Sequence, residues 1–300
     1  MSDPDIGALR AKIASRPRSP DYRERRKDID QRGLDYGLAA DVSVEKIDAN
    51  GVSAEWTATP GAARDAAILY MHGGGYVIGS LDSHRHMVAE LGRVANCVAL
   101  ALDYRLAPEH PFPAPVDDAL AGYRYLLAQG FKPGRIALAG DSAGGGLVVA
   151  AMVAIREAGL PQPGCGWCLS PWIDMEALGG TMESKAASDP NVQKAGILDM
   201  ARLYLNGADP RSPLAAPLYA DLAGIAPLLI QVGSAETLLD DSIRLAQRVG
   251  AADVRVDLQV WPEMIHIWPI FYPELRAGKR ALNEAGAFIR QALGCWSDRI

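Results

Sequence analysis

Short apolar runs alternate with helical stretches along most of this chain, and this alternation constrains the fold more than any other feature. The runs, each of a length typical of a buried strand, lie at residues 66–71, 97–102, 135–139, 165–169, 228–232 and 254–261. Helical patterns occupy residues 83–94, 115–129, 143–157, 239–249 and 274–293. A hairpin at 42–47 and 52–58, with an Asn50-Gly51 turn, precedes them. The pattern predicts an α/β fold with a largely parallel sheet covered by helices on both faces.

Two segments depart from this alternation and divide the chain. Residues 1–40 are helical in pattern and rich in charge, whereas 174–217 lack any strand pattern and are rich in Gly, Pro and Met. An excursion of that length inside a compact α/β domain is typical of a lid or binding element. We therefore predict a catalytic core at 41–173 and 218–300, with an N-terminal cap segment and a cap insertion.

Charge and hydropathy narrow the range of partners and compartments. A net charge of -6 and a pI near 5.4 argue against nucleic acid and anionic membranes as partners, because both require a basic surface. The first twenty residues contain charges but no apolar run of signal-peptide length, and the longest apolar stretch, 144–155, is too short to span a bilayer. We therefore expect a cytoplasmic protein that does not bind membranes.

The four cysteines do not indicate a disulfide framework or a metal site. They are too few for a disulfide scaffold in a chain of 300 residues. Cys165 and Cys168 form a C-x-x-C pattern, but within a predicted strand residues three apart point to opposite faces. No second cysteine pair completes a metal site, and we predict no bound metal.

A nucleophilic serine is indicated by Gly140-Asp141-Ser142-Ala143-Gly144, which fits the pattern G-x-S-x-G. A predicted strand precedes the motif directly and an apolar helix follows it directly. This is the context the pattern needs, since the serine must sit on a tight, strained turn between a strand and a helix. A glycine-rich turn with an incidental serine is the alternative, and it does not explain this placement. We predict Ser142 as the nucleophile, with Asp141 in a supporting role.

An oxyanion hole is indicated by His72-Gly73-Gly74-Gly75, which follows the predicted strand at 66–71. Acyl transfer needs N–H donors fixed where negative charge develops, and glycines let the backbone approach that point closely. We predict the amides of Gly73, Gly74 and Ala143 as the donors. His72 precedes Ser142 in the chain, so we expect it, with Gly75, to organise the loop rather than to transfer protons.

The general base and its acid partner follow from the order serine, acid, histidine that this arrangement requires. His266 is the one histidine of five that lies after Ser142, and we predict it as the base. Glu236 is the first carboxylate after the predicted strand at 228–232, and we favour it as the acid that orients the imidazole. Asp240 is the next candidate.

Together these motifs resemble the hormone-sensitive-lipase-like family of bacterial carboxylesterases, within the α/β-hydrolase superfamily. The match spans about residues 66–271, and its motifs are HGGG at 72–75, DYRLAPEHPFPA at 103–114, GDSAGG at 140–145 and SPW at 170–172. The resemblance implies an eight-stranded mixed sheet, a helical cap, and hydrolysis of short acyl esters without a cofactor. Members commonly carry aspartate followed by proline at the acid position, where this chain has Glu236-Thr237.

Further expectations concern the matching block and the assembly. We expect Arg105, Glu109, Asp117 and Asp118 to form a buried arginine–carboxylate network that braces the nucleophile side. A homodimer is one option, because the last strand at a sheet edge is available to pair with a second copy.

Two alternatives keep the fold and change the function. An amidase or arylformamidase would use the same triad on a different small molecule, and the sequence does not separate it from an esterase. A non-catalytic small-molecule receptor is the other alternative, as in the plant gibberellin receptors. Those receptors lack the triad histidine, which is present here as His266.

Overall fold

A single mixed sheet forms the centre of the molecule. The computed structural model describes residues 5–16 and 18–295, so the outer ends of the two terminal segments, 1–4 and 296–300, lie outside the described residues. Within them the strands are β1 (Ser43–Asp48), β2 (Ser53–Ala58), β3 (Ala63–Met71), β4 (Cys97–Leu102), β5 (Ile136–Asp141), β6 (Cys165–Leu169), β7 (Leu228–Gly233) and β8 (Val256–Trp261). Their order is β1-β2-β4-β3-β5-β6-β7-β8. β2 pairs antiparallel with β1 and β4, and all other pairs are parallel. The expected eight-stranded, mostly parallel mixed sheet is confirmed.

The strand boundaries differ from the sequence expectation by at most three residues, and the largest difference has a physical reason. β3 begins at Ala63 rather than at residue 66, because Arg64 and Asp65 extend the strand beyond its apolar run with exposed side chains. The Asn50-Gly51 turn is confirmed, with φ of 58° and 89° respectively. Positive φ at both positions is the geometry that favours Asn-Gly in two-residue hairpins.

Helices cover both faces of the sheet. Across the described residues they are α1 (Ile6–Ala14), α2 (Tyr22–Tyr36), α3 (Leu81–Ala95), α4 (Ala114–Ala128), α5 (Ala143–Glu157), α6 (Thr181–Ser184), α7 (Lys194–Leu205), α8 (Leu239–Ala251) and α9 (Arg276–Leu293). Alternate residues of the central strands enter two separate cores. One core contains side chains of α1, α3 and α9, and the other contains those of α4, α5, α7 and α8. No described helix is long and apolar enough to cross a lipid bilayer.

The two cysteines of the C-x-x-C pattern point into these opposite cores, as predicted. Cys165 packs with α9 and Cys168 with α5 side chains, and both thiols are buried. Burial raises the pKa of Cys165 to about 12. A protonated thiol in an apolar core is a poor nucleophile and a poor metal ligand, so the pair has a packing role.

α2 and α7 pack on loops that follow the carboxyl ends of β3 and β4. Arg26 of α2 donates from Nε to the Val77 carbonyl (2.8 Å) and from Nη2 to the Ala107 carbonyl (2.9 Å). The Tyr204 ring of α7 stacks on Tyr76, with centroids 3.8 Å apart. Both helices thus lie at the sheet edge where the predicted site residues are. The division of the chain into a catalytic core (41–173 and 218–300) and two cap segments (1–40 and 174–217) stays a prediction.

The expected buried network around Arg105 is wrong in its extent. Arg105 and Asp118 do pair, with Nη2 to Oδ1 at 2.7 Å, but about half of the arginine side chain is exposed (48%). Glu109 pairs with Arg26 of α2 instead (2.8 Å). Glu109, in the motif at 103–114, therefore links α2 to the loop after β4, and it does not join Arg105 in a network that supports the nucleophile.

Helix α9 lies so close to α3 that glycine is required at the crossing, which gives a test of the packing. A Cβ at Gly286 would lie 2.6 Å from the Val94 carbonyl carbon, whereas a Cβ at Gly196 of α7 would meet no atom within 4 Å. We expect Gly286→Ala to lower the free energy of unfolding by about 1–3 kcal/mol through overpacking. Gly196→Ala should leave it unchanged or raise it by up to about 1 kcal/mol. Urea unfolding midpoints measure both, and equal midpoints would contradict the packing of α9 on α3.

Candidate active site

Ser142 occupies a sharp turn between β5 and α5, as the sequence predicts. Its backbone has φ 54° and ψ -120°, a conformation that costs a non-glycine residue about 1–3 kcal/mol. The turn is held by the Ser142 N–H, which donates to the Leu169 carbonyl (2.8 Å), and by the Ser142 carbonyl, which accepts from Trp172 N–H (2.9 Å). A Cβ at Gly144 would lie 2.6 Å from the His72 carbonyl oxygen, so only glycine fits beside the turn.

Ser142, His266 and Glu236 form one hydrogen-bonded chain. His266 Nε2 lies 2.9 Å from Ser142 Oγ, and His266 Nδ1 lies 2.7 Å from Glu236 Oε2. A carboxylate can only accept, so Nδ1 carries the proton and donates to Glu236, which leaves Nε2 free to accept from the serine hydroxyl. All three side chains are buried, and Glu236 is completely so. The structure thus brings together residues that are 124 and 30 positions apart in the chain.

The buried Glu236 carboxylate is compensated by further donors. Its Oε1 accepts from Ser170 Oγ (2.8 Å) and from the Gly233 N–H (2.5 Å). Ser170 also accepts from the Ile267 N–H (3.2 Å), so it joins the acid to the loop that carries His266. Burial opposes a charged imidazole, but the hydrogen bond and charge of Glu236 outweigh it and raise the pKa of His266 above 6.5. Sequence reasoning missed Ser170, although its place directly after β6 puts it at the same sheet edge as Ser142.

The second candidate for the acid lies elsewhere. Asp240 accepts from the Thr181 N–H through Oδ2 (3.0 Å) and is not bonded to His266. Its neighbour Asp241 accepts from the Ile173 N–H (3.0 Å) and pairs with Arg244 (3.0 Å). Burial raises the pKa of Asp241 to about 7. These carboxylates attach the start of α8 to the chain after β6, and Glu236 is the carboxylate in contact with His266.

The glycine loop after β3 corrects one predicted oxyanion donor. The Gly73 N–H donates to Asp141 Oδ1 (3.0 Å), so the prediction of Gly73 as a donor to an oxyanion is wrong for this conformation. The amides of Gly74 and Gly75 make no hydrogen bond with the described part of the chain, and both residues line the cavity that contains Ser142. Ala143 begins α5, where the first N–H groups of a helix lack internal partners. Free donors therefore exist at Gly74, Gly75 and Ala143.

His72 and Asp141 have supporting positions. His72 Nδ1 donates to the Gly73 carbonyl (2.8 Å) and its ring stacks on Tyr104 at 4.3 Å. Burial lowers the pKa of His72 to about 4, so the ring stays neutral at physiological pH. Asp141 also accepts from Tyr70 OH (2.6 Å) and lies 3.3 Å from His84 Nε2. These contacts fix the glycine loop against β5, and neither side chain belongs to the Ser142 chain of hydrogen bonds.

A cavity of about 650 Å³ opens beside Ser142 and His266. Its apolar wall comes from the segment 174–217 and the loop after β8, and includes Ile197, Met200 and Phe271. The rest of the lining comes largely from α1, α2 and the segment between them. The volume lies in the range of small-molecule sites.

Thr237 stands where the family resemblance implies a proline, and it is bonded to Asp189 in the segment 174–217. Its N–H and Oγ1 both donate to Asp189 Oδ2, at 2.9 and 3.1 Å. The buried Asp189 also accepts from the amides of Asn191 (2.8 Å) and Val192 (3.1 Å) through Oδ1. Proline lacks the N–H and the hydroxyl, so only a residue such as threonine allows this link between acid loop and insertion.

Comparisons with known proteins agree with this fold and this arrangement of residues. A family model described as alpha/beta hydrolase fold matches residues 68–270. An acetyl-hydrolase of Streptomyces hygroscopicus is 43% identical over 98% of this chain and 99% of its own length. The esterase LipI of Mycobacterium tuberculosis is 32% identical over 97% of this chain and 90% of its own length.

Solved structures resemble this chain in both sequence and fold. The crystal structure of an esterase from the bacterial hormone-sensitive lipase family superposes with a TM-score of 0.95 at 50% identity, over 98% of this chain and all of that one. A hormone-sensitive lipase from a metagenome library gives a TM-score of 0.92 at 37% identity, over 96% and 97% of the two chains. The chain therefore belongs to the alpha/beta hydrolases and, among them, to the bacterial hormone-sensitive-lipase-like family of esterases.

Proposed function

We propose that this protein is a carboxylesterase that hydrolyses short-chain acyl esters through Ser142, His266 and Glu236 by way of an acyl-enzyme. The observation that carries the proposal is the continuous path from Ser142 Oγ to His266 Nε2 (2.9 Å) and from His266 Nδ1 to Glu236 Oε2 (2.7 Å). Hydrogen-bond contact of nucleophile with base, and of base with an orienting acid, is what nucleophilic acyl transfer needs.

The reaction has two halves. In the first, His266 Nε2 takes the hydroxyl proton as Ser142 Oγ attacks the ester carbonyl, and the tetrahedral intermediate then collapses. The alcohol leaves with the proton from His266, and the acyl group stays on Ser142. In the second, His266 removes a proton from water as the water attacks the acyl-enzyme, and it returns that proton to Ser142 Oγ as the carboxylic acid is released. Glu236 stays ionised, keeps Nδ1 protonated and stabilises the imidazolium that forms twice per cycle.

Negative charge on the carbonyl oxygen needs fixed donors, and we propose the amides of Gly74, Gly75 and Ala143. Gly75 replaces Gly73 in this role because the Gly73 N–H is already bonded to Asp141. Donors held in place before reaction need no reorganisation when the charge develops, and each contributes about 3–4 kcal/mol to catalysis in known hydrolases.

The lining of the cavity and the name of one relative support a preference for short acyl chains. Apolar side chains lie close to the nucleophile, since Trp172 and Met200 line the same cavity as Ser142, and a Cβ on Gly75 would touch the Met200 side chain. The acetyl-hydrolase of S. hygroscopicus is named for removal of an acetyl group, the shortest common acyl unit. We therefore propose acetyl and butyryl esters as the best substrates.

The pH dependence of kcat/KM should reflect the protonation of His266. Ester hydrolysis needs the neutral imidazole, so kcat/KM should fall as the pH drops through the pKa of His266, which lies above 6.5. In Glu236→Gln the carboxylate that raises this pKa is absent. We expect the acid limb of the pH profile to move to lower pH and kcat to fall about 10²–10⁴-fold.

Two variants serve as controls for that experiment. Glu263→Gln removes the same charge from an exposed side chain three residues from His266 and should change neither the limb nor kcat. Asp240→Asn tests the other candidate acid. A larger loss of kcat in Asp240→Asn than in Glu236→Gln would show that the acid is misassigned.

Acyl-chain preference is measured with para-nitrophenyl acetate, butyrate, octanoate and palmitate. We expect kcat/KM to be highest for acetate or butyrate and to fall for octanoate and palmitate. Ser142→Ala provides the background rate, and its turnover should be that of free solution. A maximum at octanoate or palmitate would contradict the short-chain proposal without affecting the triad.

A further inference from the structure

Four arginines line the active-site cavity on the side formed by the N-terminal segment. Arg25 and Arg32 are seven positions apart in α2, which places them on one face of the helix, and Arg16 and Arg18 lie between α1 and α2. All four border the same space as Ser142 and His266. We refer to these residues as the arginine wall.

Within the described part of the chain, most of the arginine wall has no hydrogen-bonded or ion-paired partner. The guanidinium groups of Arg16, Arg25 and Arg32 are half-buried, and they make no hydrogen bond or ion pair with the residues that the structure describes. Arg18 donates to the carbonyls of Pro190 and Asn191, which leaves its charge uncompensated by a bonded carboxylate. Arginines elsewhere commonly contact carboxylates, as Arg85 contacts Glu55 at 2.5 Å.

The charges that share this cavity do not neutralise the wall. Glu274 is bonded to Lys12 (2.8 Å) and to Tyr36 OH (2.8 Å), so these two opposite charges offset each other. The remaining acidic groups that line the same side are Asp28 and Asp35, and Asp35 accepts from Gln31 (2.8 Å). Among the described residues that line this side, four guanidinium groups thus face two carboxylates, and the buried Asp189 acts on Arg18 from outside the lining, although the whole chain carries a net charge of -6.

The arginines also destabilise one another's charge. Burial, and then the positive charge of Arg18, lowers the pKa of Arg25. Burial, and then the charge of Arg16, lowers the pKa of Arg32. A bound oxyanion would relieve this repulsion, and the planar guanidinium group binds carboxylate and phosphate oxygens with two hydrogen bonds.

We propose that the arginine wall is an anion-binding subsite, and that the preferred esters carry a carboxylate or phosphate group away from the scissile carbonyl. The inference rests on the esterase function proposed above and specifies its substrate class. The cavity has an apolar side and a cationic side, which fits an ester that carries a negative charge at one end. The ester end of such a molecule meets Trp172 and Met200 beside Ser142, and its charged end meets guanidinium groups at α2.

The test compares ester pairs that differ only in charge. On the alcohol side the pair is para-acetoxybenzoate and its methyl ester, and on the acyl side it is the mono-para-nitrophenyl ester of adipic acid and the corresponding methyl ester. The measured quantity is the ratio of kcat/KM for the anionic ester to that for the neutral one, so intrinsic reactivity cancels between variants. We expect Arg25→Gln/Arg32→Gln to lower this ratio about tenfold in at least one pair, equivalent to about 1.4 kcal/mol.

Arg23→Gln/Lys27→Gln is the matched control, because it removes two positive charges from the same helix at residues that do not line the cavity. This variant should keep the wild-type ratio. A ratio that is unchanged in both pairs by Arg25→Gln/Arg32→Gln, or lowered equally by the control, would overturn the subsite and leave the esterase proposal intact. If wild-type protein hydrolysed none of the four esters, the proposed function would fail, and the subsite with it.

Discussion

The other groups of the site are arranged around the backbone of Ser142, which has a positive φ where β5 turns into α5. Leu169 and Trp172 hold this turn through backbone hydrogen bonds, and Gly144 lets it approach the loop after β3. Parallel strands end at the same edge of a sheet, so residues that follow β3, β5, β6, β7 and β8 converge there. The hydroxyl, the free loop amides, Ser170, Glu236 and His266 all arise from that convergence.

The acid position shows how a buried charge is made tolerable. Glu236 is completely buried, and its oxygens are occupied by His266, Ser170 and the Gly233 amide, which offset much of the desolvation. Thr237 follows Glu236 at the position where the family resemblance implies a proline, and this difference has a second consequence. Thr237 bonds to the buried Asp189, so the segment 174–217 is joined to the loop that carries Glu236. Movement of this segment would therefore act on the loop whose carboxylate contacts His266.

Local patterns in the sequence predict much of this structure, and the failures come from contacts between distant segments. The apolar runs suffice to predict the sheet, and the G-x-S-x-G pattern suffices to predict Ser142. The order of serine, acid and histidine along the chain then predicts Glu236 and His266. The motif predicts a free amide at Gly73, but this amide donates to Asp141, which is 68 residues away and which the motif does not identify as a partner. Glu109 lies near Arg105 in sequence but pairs with Arg26. The arginine wall is likewise invisible until α2 is seen to border the cavity.

The proposed hydrolysis depends on a Ser142 hydroxyl that His266 makes nucleophilic, and covalent modification tests this directly. An organophosphate ester such as diethyl para-nitrophenyl phosphate should transfer one diethylphosphoryl group to the protein, in step with loss of ester hydrolysis. Mass spectrometry of peptides should locate it on Ser142, and His266→Ala should remain unlabelled under the same conditions. Full inactivation with Ser142 unmodified, or equal labelling of His266→Ala, would contradict the account.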